Sequence, residues 1–126
     1  MSRRPPTGRR TAAQSIGADA EERAASFLAR HGLAIVARNY RTRFGEIDLV
    51  ARDGETLVFV EVRARASDDY GGAASSIVAD KRRRIESAAR LYLSGLRREP
   101  PCRFDVITLE GGEPRWLRAA FDASAG

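Results

Sequence analysis

A chain of 126 residues fits one domain, and at this size folding buries roughly two thirds of the surface that the unfolded chain exposes. At 43% apolar and 31% charged residues it is globular in composition, and apolar runs such as Leu33–Val36 and Leu57–Val60 fall far short of the about 20 residues a membrane-spanning helix needs. Four of the five net positive charges lie in Met1–Gln14, and the single cysteine, Cys102, excludes an intrachain disulfide.

Residues 1–14 carry Arg3, Arg4, Arg9 and Arg10 without an acid, which is the composition of a transit peptide. No amphipathic period runs through them and Pro5-Pro6 breaks any helix, so a disordered basic tail on a cytoplasmic protein is expected, followed by one domain over 15–126. Ser15 or Gly17 opens a helix over about 16–30, with Ile16, Ala20, Ala24, Phe27 and Leu28 on one face and His31-Gly32 as its stop. His31, the only histidine, reads as a helix cap rather than a catalytic or zinc-binding group. Strands are predicted over Leu33–Tyr40, Gly45–Arg52 and Glu55–Arg65, then a polar loop over 66–76. A second helix begins at Ile77 and runs through Val78, Ile85, Ala88, Ala89, Tyr92 and Leu96 to about Gly95–Arg98. Pro100-Pro101 forces an extended entry to a strand at Cys102–Leu109, Gly111-Gly112 makes a turn, and Arg115–Phe121 forms a last short strand.

Asp53-Gly54 between two apolar runs is a strong hairpin signal. With those two residues as the turn, Arg52 opposes Glu55, Val50 opposes Leu57, Asp48 opposes Phe59 and Glu46 opposes Glu61. One face of the hairpin then carries Glu46, Asp48, Phe59, Glu61 and Arg63, and the other carries Ile47, Leu49, Val58, Val60 and Val62. The second set is an apolar face that a helix can cover. The first set places Asp48 and Glu61 as diagonal neighbours about 7–8 Å apart and sets like charges across the sheet, which costs stability.

Two readings of that acid patch stand side by side. It is either a solvated face, neutralised by Arg43, Arg63 and Arg65, or a set of oxygen ligands for a hard cation such as Mg²⁺. Glu21, beside the apolar stripe of the first helix, either leans over the patch or is an exposed acid near a helix N-terminus. Lys81-Arg82-Arg83-Arg84 spray around more than half of the second helix, either as a solvated face or as phosphate contacts. Tyr70 in the Gly-rich loop either packs on a nucleic-acid strand or anchors the loop, and Trp116 reads as core or interface rather than as a base-stacking platform.

Gly17-x-x-x-Glu21-x-x-Ala24-x-x-x-Leu28, Gly45-Glu46-Ile47-Asp48-Leu49-Val50, Val58-Phe59-Val60-Glu61-Val62-Arg63, Tyr70-Gly71-Gly72 and Cys102-Arg103-Phe104-Asp105-Val106 together resemble the YraN-like family of small bacterial proteins over residues 15–122. That family is similar to the PD-(D/E)XK nucleases, Holliday-junction resolvases above all. The resemblance implies an α/β, restriction-endonuclease-like three-layer fold, with a mixed central sheet, flanking helices and the order αβββαβ(β). It also implies a metal site for Mg²⁺ or Mn²⁺ at Glu21, Asp48 and Glu61, with Asp48, Glu61 and Arg63 as the catalytic positions and Glu46 as a supporting acid. Arg63 stands where the superfamily pattern has lysine, and an arginine, always charged, does not serve as a base. DNA contacts are expected from Arg43, Arg65, Tyr70, Lys81, Arg82, Arg83 and Arg84, and a homodimer is implied by the resolvases. Three functions follow as expectations. The first is a metal-dependent endonuclease acting on structured DNA, the second a nucleic-acid-binding module that keeps the fold without turnover, and the third a protein-interaction module in DNA uptake or repair.

Overall fold

The structure, a computed structural model, describes residues 12–64, 75–109 and 113–121, with side chains from residue 19 in the first helix and from 79 in the second. Seven elements run in order: α1 (Ala12–Arg30), β1 (Ala34–Arg41), β2 (Glu46–Asp53), β3 (Thr56–Arg63), α2 (Ser75–Ser94), β4 (Cys102–Thr108) and β5 (Arg115–Phe121). The predicted order is the observed one. Helix α1 starts earlier than the expected 16, because Ala12, Ala13 and Gln14 are good helix formers and join it. The expected loop over 66–76, with Tyr70, and Arg65 before it lie for the most part outside the described residues, as do residues 1–11 and the Gly111-Gly112 turn.

The five strands form one sheet in the order β1-β2-β3-β4-β5. Only β3 and β4 pair in parallel, with α2 as their crossover, so the sheet is mixed. One helix covers each face, giving an α/β fold of three layers. Under α1, Ala20, Ala24, Ala25 and Leu28 pack on Leu49, Ala51, Val58, Val60 and Ile107. Under α2, Ile85, Ala88 and Ala89 pack on Ile47, Val50, Leu57, Phe59 and Phe104. Among the described residues no helix is long and apolar enough to cross a membrane.

Helix α1 ends in a Schellman motif. Gly32 adopts φ +93°, the Leu33 N–H donates to Leu28 O and the Gly32 N–H to Ala29 O, both at 3.0 Å, and Leu28 and Leu33 are buried together. His31 Nδ1 lies 2.9 Å from Phe27 O, which bears out its reading as a cap.

The hairpin register differs from expectation. The turn is Gly54-Glu55, and Asp53 pairs with Thr56, Arg52 with Leu57 and Val50 with Phe59. Gly54 takes φ +64° at the first central position, where a two-residue hairpin favours glycine. This displaces β3 by two residues against β2. A shift of two preserves which residues share a face, whereas a shift of one would have inverted them. Ile47 is the exception. It packs under α2 with Val50 rather than under α1 with Leu49. The alternation breaks at Asp48, across from Asn39, whose φ of 50° is left-handed. Tyr40 and Ala37, which pair with Ile47 and Val50, make the same three-residue step onto the α2 face.

Candidate metal and nucleic-acid site

Asp48 and Glu61 meet where the β2–β3 ladder opens. Leu49–Val60 is the last regular pair, and in the same register the next step sets Asp48 against Glu61 rather than diagonal to it as expected from sequence. There the Asp48 carboxylate takes the place of a strand partner and accepts the Val62 N–H at 2.8 Å. Glu61 is 7% exposed, because α2 lies over its face of the sheet. Glu61 is thus not a solvated acid, whereas Glu46 in the same patch is exposed, and Arg63 does lie beside Glu61.

Both acids line a cleft of about 880 Å³ between the β1–β2 loop, the ends of β2 and β3, and the first turns of α2. Burial raises the Asp48 pKa from 3.8 to about 7, against the lowering effect of the Val62 hydrogen bond and with further increments from the charges of Glu61, Glu21 and Glu46. A cation set between Asp48 and Glu61 would relieve that repulsion, and hard carboxylate oxygens are the donors Mg²⁺ and Mn²⁺ prefer. Among the described residues no three His, Cys, Asp or Glu side chains form a complete ligand cluster. Among the described residues the protein side of such a site is therefore two carboxylates, enough for an ion that keeps most of its waters. Glu21 adds its charge at Asp48 but does not line the cleft, and Glu46 stands at the rim, with its Oε1 3.7 Å from Arg41 Nε.

The four consecutive cations of α2 go separate ways. Lys81 turns into the cleft, its Nζ 2.6 Å from Glu61 Oε2, and Arg84 lines the same wall. Arg83 pairs with Asp80 at 2.8 Å, and the Arg82 guanidinium lies 5.0 Å from the Phe121 ring, toward β5. Arg63 joins the cleft with its Nε 3.6 Å from Glu61 Oε2, and Arg43 stands on the β1–β2 loop at the cleft mouth. Arg65 and Tyr70, expected at the same site, lie outside the described residues.

Two cleft features escaped the sequence reading. Lys81 was expected among the phosphate contacts but not as a neighbour of Glu61, and it occupies the turn preceding Ile85 on the stripe that faces the sheet. That spacing of four residues was the available signal. Gly45 lets the β1–β2 loop close on α2, since a Cβ there would lie 2.6 Å from Arg84 O. A glycine directly before a strand is the corresponding sequence cue.

A profile of the Uncharacterised protein family UPF0102 matches residues 20–109. The chain belongs to this family. It is the YraN-like family that the motifs resemble. The chain is 57% identical over 111 residues to the UPF0102 protein of Nitrosospira multiformis, covering 86% of this chain and 93% of that one. It is 58% identical over 114 residues to that of Cupriavidus taiwanensis, covering 89% and 86%. It is also 50% identical over 117 residues to one from Nitrosomonas europaea, covering 90% and 99%.

Proposed function

We propose that the cleft hydrolyses phosphodiester bonds of structured DNA with the help of a divalent cation. One observation carries this reading: Asp48 and Glu61 are held side by side under like-charge repulsion in a cleft walled by Lys81, Arg63, Arg84 and Arg43. A fold under selection for stability alone separates such acids.

Asp48 and Glu61 would hold Mg²⁺ or Mn²⁺, which would neutralise phosphate charge and lower the pKa of a water so that it can lose a proton and serve as nucleophile. The chain's own groups account for the rest. The Val62 N–H fixes one Asp48 oxygen, and α2 keeps Glu61 from bulk water. Arg43 and Arg84 are placed to receive phosphate oxygens, and the Arg63 guanidinium supplies positive charge beside Glu61. Lys81 holds its ammonium 2.6 Å from Glu61 Oε2, a position from which its N–H groups can also donate to a phosphate oxygen as negative charge develops there.

The Lys81–Glu61 ion pair also favours a second reading, a DNA-binding module without turnover, because the ammonium already occupies one of the two carboxylates. Single-turnover cleavage of branched and linear DNA in Mg²⁺ and Mn²⁺ separates the two. The nuclease reading expects slow cleavage by the wild type, loss in Asp48→Asn, loss of about 10²-fold or more in Lys81→Met, and faster cleavage by Arg63→Lys. Cleavage by none of them, with DNA binding intact in all, establishes the binding module. Wild-type rates in Asp48→Asn refute the site.

A further inference from the structure

The β1–β2 loop places an aromatic ring at the mouth of the acid cleft. Phe44 is 48% exposed and lines the same cleft as Asp48 and Glu61. The Arg43 guanidinium lies 5.1 Å from its ring centroid. The ring is not carried on a loose tether. The Thr42 hydroxyl accepts the N–H groups of Phe44 at 2.9 Å and Gly45 at 3.0 Å and donates to Gly45 O at 2.8 Å, while the Thr42 N–H donates to the same carbonyl at 2.8 Å. Gly45 in turn lies against the backbone of α2 at Arg84. The loop is thus closed on itself and fastened to the helix that supplies Lys81.

An exposed phenylalanine on so constrained a loop contributes little to the core. What it presents is an apolar π-face beside a planar cation, next to carboxylates and arginines suited to a phosphodiester. Bases stack on aromatic rings and on arginine planes, and such stacking tolerates any base. Within a continuous duplex both faces of every base are already covered by neighbours, so a rim aromatic gains a base only where pairing or stacking is interrupted. We infer that Phe44, with Arg43, is a stacking platform for an unpaired nucleobase, and that it directs the cleft to phosphodiesters beside single-stranded, gapped or branched positions. This rests on the nucleic-acid reading of the cleft and adds to it the structural class of the substrate.

The test is fluorescence anisotropy of labelled single-stranded, gapped and continuous duplex DNA, in Ca²⁺ and at one salt concentration, with wild type, Phe44→Ala, Phe44→Leu and Phe44→Tyr. The half-exposed ring allows all the variants to fold, which thermal melting verifies. Phe44→Ala and Phe44→Leu are expected to lose roughly 10-fold in affinity for gapped and single-stranded DNA, the size of one base–aromatic stack, and less than about twofold for the duplex. Phe44→Tyr keeps the preference. Equal losses on all three DNAs, no loss on any, or full function in Phe44→Leu overturns the platform. If the wild type binds all three DNAs alike and Phe44→Ala matches it, the nucleic-acid reading stands and the platform alone fails. If the wild type binds none of them, both fall, and Phe44 is left as a contact for a protein partner.

Discussion

Asp105 in β4 and Asp48 in β2 are both withdrawn into the sheet, yet their surroundings are opposite in kind. Asp105 is fully buried and surrounded by donors: Arg103 Nε at 3.0 Å, Trp116 Nε1 at 2.9 Å and the Ala119 N–H at 2.9 Å. Arg103 also reaches Asp53 at 3.1 Å, tying β4 to the hairpin. Through the Ala119 contact the carboxylate holds a residue at φ 50°, rare for a side chain with a Cβ, where the β4–β5 register shifts. Asp48 has one backbone donor and the negative charges of Glu61, Glu21 and Glu46. A buried carboxylate surrounded by donors serves the fold, whereas a carboxylate set among other carboxylates costs stability and marks a candidate binding group.

The sharpest way to break this comparison is to remove the Asp105 carboxylate. Asp105→Ala strands Arg103 beside a cavity and frees the Trp116 and Ala119 donors. An expected loss of about 3–5 kcal/mol would be read by urea unfolding. A loss under about 1 kcal/mol would make the network incidental.

Asp48→Asn should act in the opposite direction, and its sign depends on pH. Between the ordinary carboxylate pKa of 3.8 and about 7, folded protein holds a proton on Asp48 that the unfolded chain releases. The wild type therefore loses stability from this group as pH rises through that window, and asparagine does not. The variant should match the wild type near pH 4 and exceed it by up to a few kcal/mol at pH 8. Mg²⁺ or Mn²⁺ should raise the melting temperature of the wild type at pH 8, less at pH 6, and that of Asp48→Asn hardly at all. A variant less stable than the wild type at pH 8 would place Asp48 with Asp105 among the structural acids.

Gly45→Ala should have a smaller effect and tests how the cleft is closed. Its Cβ would meet Arg84 O at 2.6 Å, and backbone must give way on one side. A cost of about 1–3 kcal/mol is expected, with weakened metal and DNA binding. Unfolding and cation titration of the same variant measure both. Unchanged stability would mean that the loop and α2 separate freely.

The acid pair survived an error in the hairpin turn. Glycine at 54 shifts β3 by two residues, which leaves Glu61 on its expected face, and Asp48 still lines the same cleft although the alternation breaks there, so their convergence was legible although their pairing was not. Ile47 was assigned to the wrong face because strict alternation was assumed through Asp48, where a left-handed Asn39 lies across the ladder. Lys81 was legible as a cation but not as the partner of Glu61, since 20 residues separate them in the chain and only the packing of α2 on the sheet brings them together. The donors around Asp105 went unread for the same reason. Nothing local tells that Trp116 and Ala119 return beside it.

Composition, helical and strand periods, turn glycines and the run of motifs determined by themselves the order of elements, one apolar face of the hairpin and the family, because each depends on residues within a few positions of one another. The tertiary structure alone decided that α2 covers the acid face rather than leaving it to water. It also set Lys81 against Glu61 and lifted the Asp48 pKa to about 7. Those outcomes depend on distances across the fold and on the exclusion of solvent, and no local pattern encodes the electrostatics of groups that meet only after the sheet and its helices have packed.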